Sequence, residues 1–313
     1  ASGTTSRPKG VLVTNANDVY AGETVAKSLA LRRHDRHLAV LPLFHGNAQY
    51  YSTMSALVSG ASMVLSARFS ASRYFDQAME NGCTVSSLFS APMRMLLAQP
   101  RTKNHANNRL RAVIFAQCVT PAQLEEWDER FGAPLMQLWG MTETMGPPLM
   151  NPLHHRRDNM SIGLPAMGYR VRVVDDNGKP VPPGETGQIV VAGEPGRTLM
   201  KGYFRNPQAT AETIRDGWLW SGDNARQDEF GYFHFVDRAK DMIKRAGENV
   251  AASEVEAVIL QHTKVFDCAV IGIPDPMRDE AIVAVVVPEQ GEAPGENGII
   301  EWCAERLASF RVP

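Results

Sequence analysis

Only four cysteines are spread through the 313 residues, Cys83, Cys118, Cys268 and Cys303. They are far apart and none stands at Cys-x-x-Cys spacing, so neither a zinc site nor a disulfide framework is indicated, and the expectation is free, buried thiols. Long apolar runs are missing too: none approaches the roughly 20 residues that span a bilayer, and no signal peptide precedes the first loop. A soluble, cytoplasmic protein is therefore expected. Charge of one sign is absent as well, since 32 basic and 34 acidic side chains leave a net charge of −2 in scattered small groups. That offers no stripe for nucleic acid and no polybasic patch for a membrane. No Gly-x-Gly-x-x-Gly loop follows any expected strand, which argues against an oxidoreductase, and there is no internal repeat or low-complexity tract. What remains is a chain of 44% hydrophobic residues, long enough for two domains, whose partners are expected to be small molecules.

The first ten residues, Ala-Ser-Gly-Thr-Thr-Ser-Arg-Pro-Lys-Gly, crowd hydroxyls, two glycines and a lysine into one loop. Gly3 and Gly10 let backbone approach phosphate oxygens, Ser2, Thr4 and Thr5 can donate to them, and Lys9 adds a mobile positive charge. A nucleotide triphosphate is the leading ligand, with a plain solvent-exposed turn as the alternative. The Walker pattern does not fit. Counting from Gly3, Pro8 stands where its second glycine would be, and Gly10 follows Lys9 where a magnesium-binding hydroxyl would be.

Between residues 11 and 140, short apolar runs alternate with amphipathic stretches. Leu38–Leu43, Ala61–Ser66, Thr84–Phe89, Leu110–Ala116 and Pro134–Trp139 read as buried strands of a largely parallel sheet. Ser70 is placed to cap a helix ending before Gly82, and Thr120-Pro121 with Gln123 forms a capping box for a helix ending at Gly132. Ligands of such sheets bind beyond the strands' carboxyl ends. After about residue 161, Tyr169–Val174 alternate, Asn177-Gly178 supplies a turn, and Gln188–Ala192 returns, the pattern of a small antiparallel unit that ends with Asp228–Phe235. The charged run 237–241 reads as a linker. Beyond it, Ser253 and Glu256 form a second capping box, Phe266–Ile273 and Ile282–Val287 read as strands, and Asn297–Phe310 as a helix.

Three segments carry chemistry. In Gln137-Leu138-Trp139-Gly140-Met141-Thr142-Glu143-Thr144, Trp139 can stack on a base, Thr142 can meet a phosphate, and Glu143 offers a carboxylate oxygen to magnesium. In Trp218-Leu219-Trp220-Ser221-Gly222-Asp223, the turn aspartate can accept both hydroxyls of a ribose. In the segment Asp237–Val250, Arg238 can meet ribose or phosphate and Gly247 permits close backbone approach. Each segment has a plainer alternative: a capped strand end, an unliganded turn and a solvated linker.

Taken together, these segments resemble the adenylate-forming superfamily of acyl-CoA ligases, peptide-synthetase adenylation domains and beetle luciferases. The opening loop, Leu41-Pro42-Leu43-Phe44-His45, Trp139–Glu143, Gly202-Tyr203-Phe204-Arg205-Asn206-Pro207, Ser221-Gly222-Asp223 and Asp237–Glu256 occur in the family's order. The resemblance implies the family's α/β fold: a large α/β part over residues 1–160, a β-rich part over 161–236, a hinge at 237–241 and an incomplete, mobile α+β domain over 242–313. It implies that the opening loop (Ser2, Gly3, Thr4, Thr5, Lys9) holds the β- and γ-phosphates and that Ala116, Gln117 and Trp139 with Gly140 border the adenine. Thr142 then meets the α-phosphate, Glu143 the Mg2+, and Asp223 and Arg238 the ribose or phosphate. His45 lines the acyl pocket, Lys240 is the hinge, and Gly247 borders the channel of coenzyme A. The implied reaction is ATP-dependent activation of a carboxylic acid as acyl-AMP, followed by thioester formation.

With Ser6 where the family usually has glycine, the opening pattern together with the run 274–281 looks closest to the crotonobetaine/carnitine-CoA ligase branch. The segment Gly46–Met54 offers Tyr50 and Tyr51 but no acid to a quaternary ammonium, so a short or medium neutral acyl chain stands beside the charged substrate. The resemblance also implies truncation at both ends: a sizeable portion before the loop, and a lysine past Val312-Pro313 that contacts the reacting groups. Loading of a carrier protein in place of coenzyme A, or nucleotide binding without turnover, are the alternatives. Sheet edges left open by the absent portions would favour homo-oligomers.

Overall fold

The computed structural model describes residues 8–116, 119–238, 242–245, 248–275 and 279–313, with the backbone alone for Lys103, Asn104, Arg238, Glu248 and Asn249. Strand β1 (Val11–Leu12) leads into helix α1 (Asn15–Ser28), which starts at a reciprocal cap. The Thr14 hydroxyl accepts the Asn17 N–H, and the Asn17 side chain accepts the Thr14 N–H. Five parallel strands follow: β2 (Arg36–Ala39), β3 (Ser62–Leu65), β4 (Val85–Phe89), β5 (Ala112–Ala116) and β6 (Leu135–Trp139). Two short antiparallel strands, β7 (Leu149–Met150) and β8 (Leu164–Pro165), extend the sheet to the order β3-β2-β4-β5-β6-β7-β8.

The inner strands are covered on both sides, which is why they read as continuous apolar runs and not as alternating ones. Successive side chains of β5 go to opposite faces: Ile114 joins a core with Val25, Met136 and Leu138, while Val113 and Phe115 join one with Leu88, Trp127 and Phe131. Between them run α2 (Ser55–Ser59), α3 (Tyr74–Glu80), α4 (Ser90–Leu97) and α5 (Pro121–Phe131). The Thr120–Gln123 capping box of α5 forms as its sequence requires, and Gly132 closes the helix in the left-handed conformation. Two expectations shift. Strand β2 ends at Ala39 because its partner β3 ends opposite it at Leu65, although Val40 and Leu41 stay buried. Helix α3 begins at Tyr74, not after Ser70, whose hydroxyl instead meets that of Ser72.

The second sheet holds β9 (Arg170–Val174), β10 (Thr186–Ala192), β12 (Ile214–Arg215), β13 (Trp218–Gln227) and β14 (Phe233–Arg238), all antiparallel. The turn after β9 is made by Asp175, whose carboxylate accepts the N–H groups of Asn177 and Lys179. Between β10 and β12, strand β11 (Gly202–Tyr203) leaves this sheet and pairs with β1, and α6 (Pro207–Thr213) follows.

The third sheet, in the order β16-β15-β18-β17, is built from β15 (Met242–Arg245), β16 (Glu248–Ala251), β17 (Val265–Asp275) and β18 (Asp279–Pro288). It packs with α7 (Ala252–Ile259) and α8 (Glu296–Ala304) around Val255, Ile259, Val270 and Ile299. The expected capping box of Ser253 and Glu256 is not made. The Ser253 hydroxyl donates to Val236 O, and Glu256 accepts the N–H of Val270, so both side chains serve long-range contacts, while the carboxylate of Asp237 accepts the Ser253 N–H. The helix expected to reach Phe310 stops at Ala304, and residues Ser309–Arg311 form a separate 3-10 turn. An ion pair, Arg94 on α4 to Asp267 on β17 at 3.3 Å, joins this unit to the first.

Among the described residues no helix is long and apolar enough to cross a membrane. Cys83 and Cys303 are buried and Cys268 is partly so, while Cys118 lies outside the described residues. Burial pushes the Cys83 thiol up to about 11 and that of Cys268 to about 12, the state of unreactive thiols.

Two polar residues at the start of β2 set the acid limit of the fold. Burial works against the Asp35 charge, but Arg111 in a two-pronged contact, Thr84 and the Arg32 N–H win, holding the carboxyl at about 2. His37 is fully buried with no partner on either ring nitrogen, and burial lowers its pKa to about 3. Below about pH 6.5 the unfolded chain takes up a proton at His37 that the folded chain refuses, so stability falls with acidification down to about pH 3. The Asp35 contribution is lost only below the ordinary carboxylate value. Urea unfolding between pH 6.5 and 4.5 should show a loss approaching about 1.4 kcal/mol per pH unit, and His37→Leu should flatten that slope.

Candidate active site

The carboxyl ends of β5 and β6 present Ala116, half-buried, and Trp139. The Trp139 indole is buried, and its Nε1–H donates to Asp223 Oδ2 at 2.8 Å. Asp223 comes from β13, where Gly222 turns with φ +77° and the Ser221 hydroxyl accepts the Asp223 N–H while donating to Ile189 O. In the β13–β14 register, Asp223 lies opposite Arg238. Trp139, Asp223 and the backbone of Arg238, far apart in the chain, are thus gathered at one place.

Gly140 follows because nothing larger fits: a Cβ there would stand 2.7 Å from the Tyr51 hydroxyl and 3.1 Å from Gly146 O. Thr142–Thr144 then form a single 3-10 turn, with Thr142 exposed and Glu143 buried at 4% exposure. Tyr169 fixes the far side of this turn, donating to Thr144 O and accepting the Gly146 N–H.

Glu143 Oε1 accepts the hydroxyl of Tyr203 at 2.8 Å, and its backbone oxygen accepts the Met200 N–H. Burial first, and then the Glu143 charge, push the Tyr203 hydroxyl up, so it stays a donor. The Lys9 ammonium stands over the face of the same ring, 4.5 Å from its centre. Among the described residues Oε2 carries no hydrogen bond, which leaves a hard, anionic oxygen of the kind Mg2+ takes from protein beside phosphate oxygens. The donor therefore fits that ion.

His45 is exposed after β2, with Nδ1 accepting the Asn47 N–H. The following stretch Asn47–Met54 winds as a π-helix, a form that recurs at functional sites, and it buries Tyr50 and Tyr51. Ser2, Gly3, Thr4, Thr5, Gln117, Lys240 and Gly247 lie outside the described residues. Sequence reasoning gave no role to Tyr203 or Tyr169, and it weighed Tyr51 only for the acyl pocket. For Tyr203 the signal was at hand in the Gly-Tyr-Phe motif, but its partner Glu143 lies sixty residues away in sequence.

Residues 1–204 match the family model of the AMP-binding enzyme, and residues 254–313 match that of its C-terminal domain. The chain belongs to the AMP-binding enzyme family. Over all 313 residues it is 42% identical to the crotonobetaine/carnitine–CoA ligase of Escherichia coli and covers 60% of that protein. The chain thus spans about three fifths of the length of the curated relatives it matches. Among solved structures, ATP-bound MatB from Rhodopseudomonas palustris superposes with a TM-score of 0.92 at 29% identity, with 100% of this chain and 61% of that one covered. The O-succinylbenzoate coenzyme A synthetase MenE from Bacillus subtilis, in complex with AMP, gives 0.88 at 30% identity, covering 100% and 63%. The adenylate-forming α/β fold and the branch expected from the motifs are those of these relatives.

Gly140→Ala should cost about 1–3 kcal/mol, because its methyl group must push apart Tyr51 and the backbone at Gly146 and Pro147. A lowered denaturant midpoint with unchanged slope checks this, and an unchanged midpoint would show that the turn yields freely.

Proposed function

We propose that the chain is the nucleotide-binding and acyl-activating part of an ATP-dependent acid–thiol ligase. The observation that carries the reading is the grouping of Lys9, Tyr203 and Glu143 on one side and Trp139 with Asp223 on the other, at the carboxyl end of β6. Asp223 binds the ribose, Ala116, Gln117 and the Trp139–Gly140 edge border the adenine, and Thr142 meets the α-phosphate. The opening loop with Lys9 takes the outer phosphates, and Arg238 meets ribose or phosphate.

In the first half-reaction a carboxylate oxygen attacks the α-phosphorus in line, the bond to the β-phosphate oxygen breaks, and pyrophosphate leaves with that electron pair. Attacker and phosphates are all anionic, so positive charge fixed in place has the largest effect on the barrier. Lys9 and Arg238 supply part of it. Mg2+, held through Glu143, would neutralise phosphate charge. In the second half-reaction the thiol of coenzyme A adds to the acyl carbonyl and AMP departs. The divisions at 1–160, 161–236, 237–241 and 242–313, with Lys240 as hinge and Gly247 beside the thiol channel, belong to this reading, since rotation of the last part lets one site serve both steps. A cytoplasmic location, where ATP and coenzyme A are abundant, goes with it.

For the acid, the relatives named for crotonobetaine and carnitine favour a small carboxylate, charged or neutral, in a pocket near His45 and the π-helix. Pyrophosphate release should appear with ATP, Mg2+ and one member of a panel from acetate to decanoate that includes crotonobetaine and carnitine. Thioester formed with coenzyme A, and not with a carrier protein, completes the assignment, and nucleotide binding without release for every acid would reduce the chain to a binding fragment.

Trp139→Phe keeps a ring but removes the indole donor to Asp223. ATP affinity by calorimetry should fall about tenfold, the loss of one hydrogen bond to a charged group, while 2′,3′-dideoxy-ATP should be little affected. Equal losses for both nucleotides would remove Asp223 from the ribose.

A further inference from the structure

The motif Gly202-Tyr203-Phe204 is left without a task by the roles above, yet its tyrosine touches both ends of the phosphate site. The hydroxyl of Tyr203 donates to Glu143 Oε1 at 2.8 Å, and the ring face receives the Lys9 ammonium at 4.5 Å from its centre. Its backbone is equally tied. Tyr203 pairs with Val11 in the two-stranded ladder, Phe204 N–H donates to Gly10 O, Lys201 N–H donates to Leu12 O, and Met200 N–H donates to Glu143 O. Strand β11 is therefore laced on one side to the end of the opening loop and on the other to the Glu143 turn. Glu143 and Lys9 make no ion pair with each other among the described residues, although both are within reach of one side chain.

We infer that Tyr203 is a positioning residue for the nucleotide's phosphates: one side chain sets the spacing between the metal-binding carboxylate and the phosphate-binding lysine, and keeps the two from collapsing into an ion pair. The inference rests on the nucleotide-site reading above. By holding Oε1, the hydroxyl aims Oε2 outward for the cation. The ring gives Lys9 a docking face beside the Glu143 turn, from which the ammonium serves the β- and γ-phosphates. Both functions come from one residue but from different atoms, and they can be separated.

The test is calorimetric titration of ATP into the 313-residue chain, with and without Mg2+, for the unsubstituted protein, Tyr203→Phe, Tyr203→Leu and Lys9→Met. Tyr203→Phe keeps the ring and should leave metal-free ATP affinity within about twofold while cutting the strengthening given by Mg2+ about tenfold, as expected when a supporting hydrogen bond to a metal ligand is lost. Tyr203→Leu should lose affinity in both conditions, and Lys9→Met should lower the metal-free affinity that Tyr203→Phe spares. Paramagnetic resonance of bound Mn2+ in the ATP complex should change in Tyr203→Phe and stay as in the unsubstituted protein for Lys9→Met. Normal ATP binding by the unsubstituted chain with no metal-specific loss in Tyr203→Phe overturns the positioning role alone. No ATP binding by the unsubstituted, folded chain overturns the nucleotide-site reading and this inference with it.

Discussion

The segment from Gly196 to Phe204 is the tie on which the site depends. It leaves the second sheet, pairs with β1 in a separate two-stranded ladder, and is fixed there by bonds to residues that no local signal connects. The fully buried Asn17 amide donates to the carbonyls of Arg197 and Leu199, and the Thr14 hydroxyl donates to that of Gly196. One residue further on, the Met200 N–H donates to the Glu143 backbone oxygen, and β11 pairs with β1. The N-terminal cap of α1 therefore does double duty: Thr14 and Asn17 start a helix and anchor a crossing strand. Buried polar groups that are fully partnered in this way specify one arrangement, because any shift leaves an amide or carbonyl unsatisfied in the interior.

Around that tie, charge is distributed for a polyanion. Lys9 stands over the Tyr203 ring, Glu143 is buried and accepts the hydroxyl of the same tyrosine, and Asp223 accepts the Trp139 indole N–H. Neutral donors orient both acids. The strong ion pairing of this part of the chain is instead at Asp35 and Arg111, at the amino-terminal end of the parallel strands, where it joins the end of α1 to the sheet.

Much of this was legible in the sequence. Buried parallel strands announce themselves as apolar runs, and β4, β5 and β6 fall close to where those runs lie. The Thr120 box and Gly132 marked both ends of α5, because cap chemistry is local. Ser70 and the pair Ser253 and Glu256 misled for the opposite reason. Hydroxyl and carboxylate side chains that suit a local cap also suit a distant partner, and at Ser253 and Glu256 the partners Asp237, Val236 and Val270 won. Among candidate site residues, Trp139, Asp223 and Glu143 were singled out from motif chemistry, but what holds each of them was not. Such contacts depend on how sheets pack, and pattern within one segment carries no trace of it.

Hydrogen–deuterium exchange of the chain with and without Mg2+ and ATP tests the central claim directly, that segments distant in sequence form one nucleotide site tied together by residues 196–204. The account predicts joint protection of residues 8–12, 139–145, 200–204 and 221–224 on binding, with the third sheet's inner strands little changed. Protection confined to one of those segments, or concentrated elsewhere in the chain, would contradict it.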